Sequence, residues 1–258
     1  VLAAAYRQNL LRVAGRCPVL SADAINSYLR ARVTAVSRTT VRNERAMLLI
    51  LWRWAWEEGR VDVAPRGVAS IRASRPPTRA WSLVAVRSSV NRASEKNGRL
   101  TRKGADLGVF LQCWLLLGYE TGARWGDLWS LGSTHLEGDV LRFGQSKTGT
   151  PLFRRLSPAC VAAVEKMLAC SPDGRILGWV CNKRRAMRLM KAHLQECGMP
   201  GTSKWLRRSV CTHLEIQERG RGKRFLAHKS DGMADKHYID WSQIPSEMPM
   251  APTLIGHD

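Results

Sequence analysis

Two consecutive prolines, Pro76 and Pro77, interrupt the chain at about one third of its length. Proline lacks an amide N–H and its ring collides with the preceding turn, so no helix runs through this point. The surrounding stretch, Arg-Ala-Ser-Arg-Pro-Pro-Thr-Arg-Ala over residues 72–80, reads as a linker, and its arginines suit a strap lying along a phosphate backbone. The pattern therefore predicts two domains, residues 1–75 and 81–240, joined through residues 76–80 and followed by a tail at 241–258. A length of 258 residues accommodates that division.

The first part reads as helical. Ser21 is placed to cap a helix through Ile25, Tyr28 and Leu29. A stronger helix is expected from Thr40 to Gly59, carrying Met47, Leu48, Ile50, Leu51, Trp54 and Trp56. Its apolar residues nearly encircle it, which predicts the centre of a small bundle. Arg42, Arg45 and Arg53 on the same helix read equally as phosphate contacts or as a solvated face.

The second part is mixed, so the fold class is mainly α with a small antiparallel hairpin. An apolar helix is expected over 105–118, ending near Gly122, and then a short helix holding Arg124 to Leu131. Val140, Leu141 and Phe143, then Ser-Lys-Thr-Gly-Thr-Pro, then Leu152 and Phe153 predict a hairpin over 139–156. Ser157-Pro158 starts a helix. Further helices are expected near 182–197, 203–216 and 231–240. The tail contains Pro245, Pro249 and Pro252 among apolar residues, which suits an extended peptide docking in a groove or a frayed end.

Charge narrows the function. Lys and Arg number 41 against 21 Asp and Glu, a net charge of +20. Residues 1–80 carry 14 arginines against five acids, and the rest carries 27 basic against 16 acidic residues, so both parts are basic. That balance points to a polyanion, nucleic acid ahead of a membrane surface. The apolar run at Val109–Leu117 is too short to span a bilayer, and no signal-peptide pattern is visible, so a reducing cytoplasm and nucleoid fit. The seven scattered cysteines form no CxxC pair, which argues against a disulfide scaffold or a zinc module. No metal motif, Walker motif or dinucleotide fingerprint is present, so neither metal nor cofactor is expected.

Five places carry candidate chemistry. In Thr121-Gly122-Ala123-Arg124-Trp125-Gly126-Asp127, Gly122 permits a tight turn and Arg124 is expected in the first helical turn, where Asp127 can fix its guanidinium. Lys147 sits in the hairpin turn. Lys204 and Arg207, three apart on one helix, repel each other unless an anion lies between them. His228 and Tyr238 follow. Each alone has an ordinary structural explanation.

In order, TGARWGDLWSL, the SKTG hairpin, KWLRRSVCTHL, LAHKS and HYID resemble the tyrosine recombinase (phage integrase) family. The resemblance spans most of the chain. It implies a two-domain DNA clamp with a helical core-binding domain, about 10–75, and a catalytic domain, 81–240. It implies Arg124 and Arg207 as ligands of the scissile phosphate, Tyr238 as nucleophile and Lys147 as general acid. It further implies His228 as a phosphate hydrogen-bond donor, Asp127 as support for Arg124, and Lys204 as an aid to deprotonation. Arg42, Arg45, Arg53, Arg75 and Arg79 are then expected on DNA. The partners implied are double-stranded DNA and further copies of the chain, a tetramer in the synapse, with no membrane. Two departures stand out: Lys204 replaces the family's usual His, and Ala227 replaces the usual Gly of Leu-Gly-His. A type IB topoisomerase-like enzyme, a DNA-binding relative without catalysis and a basic structural protein are the competing readings.

Overall fold

The computed structural model describes residues 4–73, 77–227, 234–235 and 237–244. The chain divides into two compact units, Val1–Pro76 and Pro77–Asp258.

Three helices build the first unit: α1 (Ala4–Arg16), α2 (Ala22–Ala35) and α3 (Arg38–Glu57). Ser21 and Ser37 cap α2 and α3, each side chain accepting a backbone N–H three residues on. Val13, Ile25, Leu29, Val41, Leu48 and Trp52 pack as one apolar cluster. The chain after α3 returns across these helices. Trp52 Nε1 donates to the Val63 carbonyl at 2.8 Å. Asn26 exchanges hydrogen bonds with Gly67 and Ala69, and Arg45 donates to the carbonyls of Val68 and Ala69. One face of α3 stays open: Ile50, Trp54 and Trp56 are about half exposed. The expected fully surrounded helix is thus corrected to an amphipathic one, because the two other helices, α1 and α2, cover only one side of α3.

Glu44 of α3 is buried beneath that cluster. Arg32 binds both of its oxygens at 2.9 Å and the Tyr28 hydroxyl donates to one at 2.9 Å. A buried carboxylate is tolerable only when paired and hydrogen-bonded in this way.

The second unit is organised around α5 (Leu107–Thr121), which follows α4 (Leu83–Ser94). Phe110, Leu111, Cys113, Trp114, Leu115 and Leu117 are all at most 1% exposed, so α5 is apolar on every side because it is covered on every side. α6 (Trp125–Ser130) leads to a three-stranded antiparallel sheet, β1 (Leu136–Glu137), β2 (Val140–Gly144) and β3 (Pro151–Arg155), in the order β1-β2-β3. β2 and β3 are the expected hairpin; β1, two residues long, was not foreseen. The register pairs Phe143 with Leu152 and Leu141 with Arg154. Directly opposed residues share a face, so Arg154 lies on the inner face with the buried leucines. α7 (Pro158–Ala169) begins on the Ser157 cap with proline in its first turn. α8 (Lys183–Glu196), α9 (Lys204–Gln217) and the short α10 (Arg221–Leu226) complete the helices. Neither α4 nor α10 was foreseen in the sequence. α5 packs against α4, α7 and α9.

Residues 77–81 belong to this unit: the Ala80 N–H donates to Asp240 and the Trp81 N–H to Ser209. Of the tail at 241–258, Trp241–Gln243 form a 3-10 turn lying on the same unit, and residues 245–258 fall outside the described residues. Of the helix expected at 231–240, Ala234, Asp235 and His237 are helical within the described residues. All seven cysteines are free. No described helix is long and apolar enough to cross a membrane.

Glu44→Ala should lower the stability of the first unit by about 1–3 kcal/mol, since it removes the buried acceptor shared by Arg32 and the Tyr28 hydroxyl. Hydrogen bonds from Arg32 hold the Glu44 pKa below its usual value against the opposing effect of burial. Its contribution is therefore complete above the unfolded value of ~4.3 and fades as pH falls through the folded value. Urea unfolding of parent and variant at pH 7 and near pH 3 checks both: the difference should shrink in acid.

Candidate active site

The site begins where the buried helix α5 stops. Gly122 takes a left-handed conformation, φ 59°, and a Cβ there would approach the Phe225 ring to 2.8 Å, so glycine alone fits. The turn presents two carbonyls at the helix C-terminus. Arg207 Nη1 of α9 donates to the Gly122 carbonyl at 2.5 Å. Arg154 Nε of β3 donates to the Thr121 carbonyl at 3.4 Å, and Arg154 also donates to the Phe225 carbonyl while its guanidinium lies 4.2 Å from that ring's centre.

Arg124 stands at the N-cap of α6, one residue before the helical turn where it was expected, because φ −71° and ψ 151° are extended values. Its Nη1 donates to Gln145 Oε1 at 2.5 Å. Gln145 is 3% exposed at the foot of the hairpin turn, and its Nε2 donates to the Leu226 carbonyl at 3.3 Å. Asp127 is also buried, but its carboxylate stays 4.0 Å from Arg124. Its Oδ1 accepts from Ser146, from the N–H at 3.2 Å and the hydroxyl at 2.5 Å. Asp127 thus holds the hairpin root by hydrogen bonds and reaches Arg124 as a longer ion pair. An amide, not a carboxylate, orients Arg124.

Tyr238 adjoins the cluster through Arg207, whose guanidinium carbon lies 4.9 Å from the phenol ring centre. Burial lowers the Arg207 pKa and the charge of Arg124 adds to that, while Tyr238 acts in the opposite sense. Burial likewise lowers the Arg154 pKa, with Arg207 contributing. Three guanidiniums thus share a small volume. Such a site is built for an anion with several oxygens.

Lys147 is exposed at the tip of the turn, whose N–H groups at Thr148 and Gly149 both close on the Gln145 carbonyl. Lys204 is exposed as the first residue of α9, whereas Arg207 one turn on is 2% exposed. Three apart on α9, the two lie on one helix face but at different depths, Lys204 at the exposed helix start and Arg207 in the interior. His228 and Arg75 lie outside the described residues. Arg79 is exposed and donates to the Ser242 hydroxyl at 3.3 Å. In the first unit Arg53 is exposed, Arg42 is half-buried, and Arg45 is turned onto the carbonyls of Val68 and Ala69. Among the described residues no group of three or more His, Cys, Asp or Glu could hold a metal.

Gln145 and Arg154 were missed in the sequence. No pattern marks a glutamine before a turn. Arg154 did leave a signal: it stands two residues after inward-facing Leu152, so strand alternation turns it inward.

Ala227 ends α10 at φ 50° and ψ 45°, and it alone among the described non-glycine residues has a positive φ. This is the position where the resembled family carries glycine.

No protein-family model matches the chain. No curated protein matches it either. Solved structures do. A lambda integrase dimer bound to a COC′ core site matches with TM-score 0.74 at 18% identity, covering 97% of this chain and 76% of that one. A lambda integrase tetramer bound to a Holliday junction gives TM-score 0.73 at 17% identity, covering 96% and 75%. The Tn1549 transposon integrase in complex with circular intermediate DNA gives 0.65 at 11% identity, covering 90% and 87%. At these identities the likeness is one of fold: this chain is similar to tyrosine recombinases and has their fold.

The left-handed alanine yields a direct test. Ala227→Gly should raise unfolding stability by about 0.5–1 kcal/mol, because relief of the Cβ clash exceeds the added entropy of the unfolded chain. Urea unfolding reads the change; a lower midpoint would show that the turn carries no strain.

Proposed function

We propose that this chain is a site-specific DNA recombinase that cleaves and rejoins strands through a 3′-phosphotyrosyl intermediate. The observation that carries the reading is the packing of Arg207 over the Tyr238 ring at 4.9 Å, in the same cluster as Arg124. A phenol beside guanidiniums is the pairing that attack on a phosphodiester requires. Arg124 and Arg207 take the non-bridging oxygens and follow their charge into the transition state. The Tyr238 oxygen bonds to phosphorus as the bond to the 5′-oxygen breaks, and rejoining reverses the step. The phenolic proton leaves with help from Lys204 or a backbone group. Lys147, on a turn whose root is fixed by Gln145 and Ser146, gives a proton to the departing 5′-oxygen. His228 donates to a phosphate oxygen, and Asp127 supports Arg124 while tying the hairpin root beside it.

Net charge supports duplex DNA as the substrate, since both units are basic. Arg42, Arg53, Arg75 and Arg79 are the phosphate contacts in this reading, and Arg45 joins them only through the charge it adds. The working assembly is a tetramer on paired sites in the nucleoid. The lambda integrase tetramer on a Holliday junction, a structure of the same fold, supports that choice.

The chemistry is tested by trapping an adduct on a nicked suicide duplex. Tyr238→Phe should bind DNA as the parent does and yield no covalent product; an undiminished adduct moves the nucleophile elsewhere. Lys147→Ala should be impaired on ordinary DNA and restored on a 5′-phosphorothiolate, whose sulfur leaves without a proton. Equal impairment on both substrates takes the proton-donor role away from Lys147.

A further inference from the structure

Directly after Tyr238 the chain turns back onto the start of its own unit. Ile239 and Asp240 are 1% and 3% exposed. The Asp240 N–H donates to Thr212 Oγ1 at 2.9 Å, and that same hydroxyl donates to the Tyr238 carbonyl at 3.4 Å. Asp240 Oδ2 accepts from the Ala80 N–H at 2.9 Å and from Gln243 Nε2 at 3.1 Å. Its Oδ1 accepts from the Ser242 hydroxyl at 2.6 Å and N–H at 3.3 Å. Gln243 Nε2 closes the ring by donating to the Ala80 carbonyl at 2.8 Å. Burial opposes the charge on Asp240, but these hydrogen bonds outweigh it and hold the pKa below the usual carboxylate range.

The other end of this contact is equally fixed. The Trp81 N–H donates to Ser209 at 2.9 Å, its indole N–H donates to the Pro200 carbonyl at 2.8 Å, and its carbonyl faces His213 Nε2 at 3.0 Å. His213 Nδ1 meets the Tyr119 hydroxyl at 2.7 Å. Since Nε2 must donate to a carbonyl, Nδ1 accepts from Tyr119. Ala80 thus sits between a rigid anchor on α9 and the chain that enters the unit at Pro77.

We infer that Asp240 is a positioning residue: it clasps the segment carrying Tyr238 to residue 80, so that a displacement of residues 77–80 moves the phenol relative to Arg207. This rests on the assignment of Tyr238 as nucleophile. It gives the segment that joins the two units a direct hold on the reactive tyrosine, two residues away from it. A small misplacement at a reacting centre is enough to cost about a hundredfold in rate.

The test uses the full chain on a saturating nicked duplex in single turnover. Asp240→Ala should slow adduct formation about a hundredfold while DNA affinity stays unchanged. Asp240→Asn keeps an acceptor for Ala80 and should fall between parent and alanine. Ala80→Pro deletes one donor and leaves the carboxylate intact; it should slow the reaction too, and the double variant should be no slower than Asp240→Ala, because both act through one contact. Amide hydrogen exchange across residues 238–244 should quicken in each variant. Parental adduct rates in Asp240→Ala, or fully additive losses in the double variant, overturn the inference. So does a loss of DNA affinity and unfolding midpoint in both Asp240→Asn and Ala80→Pro that matches the loss of rate, since that marks general support of the fold. Should the parent itself form no adduct, the nucleophile assignment fails, and the exchange rates alone decide the clasp: unchanged exchange overturns it.

Discussion

The carbonyl end of a buried helix holds this site together. α5 is predominantly apolar and has no exposed residue, and its last turn brings the negative end of its dipole into the interior of the second unit. Like charges repel: beyond the effect of burial, Arg207 lowers the Arg154 pKa and Arg124 lowers that of Arg207. The donors of Arg207 and Arg154 nevertheless find the Gly122 and Thr121 carbonyls, which the left-handed turn at Gly122 exposes. The glycine, the helix end and the arginines are one construction: a side chain at residue 122 would collide with Phe225, the residue whose carbonyl also receives Arg154.

Around that helix end, the remaining parts of the site come from elements far apart in sequence. The hairpin root is tied to α6 through Asp127 and Ser146, and to the end of α10 through Gln145 and Leu226. α10 itself is pressed onto α9, where a Cβ on Gly222 would lie 2.5 Å from the Cys211 carbonyl. The guanidiniums are therefore held at fixed roots, whereas Lys147 and Lys204 are exposed.

How much of this was legible depended on whether the signal was local. Ser21, Ser157-Pro158, and the alternation of Leu141 and Phe143 around the SKTG turn each specify an element by themselves, and each element formed. α3 misled because apolar residues on all its faces announce burial without saying what will cover them, and Ile50 and Trp54 stay exposed. α10 and β1 were hidden for the opposite reason. A six-residue helix rich in arginine and a two-residue strand have little preference of their own and are set by packing on α9 and pairing with β2. Within the site, Arg124, Arg207 and Tyr238 stood out by their order along the chain. The partner that orients Arg124 did not, since an amide at a turn looks like any surface glutamine until the fold buries it.

That amide has a consequence for the field inside the site. A carboxylate at position 145 would orient Arg124 equally well and cancel most of its charge. Gln145 supplies direction with no counter-charge, and Asp127 is kept at 4.0 Å by its bonds to Ser146. The amide therefore adds no titrating group of its own beside Arg124. With glutamate in that place, the same geometry would act as a proton-gated receptor, open to anions in acid and self-occupied at neutrality.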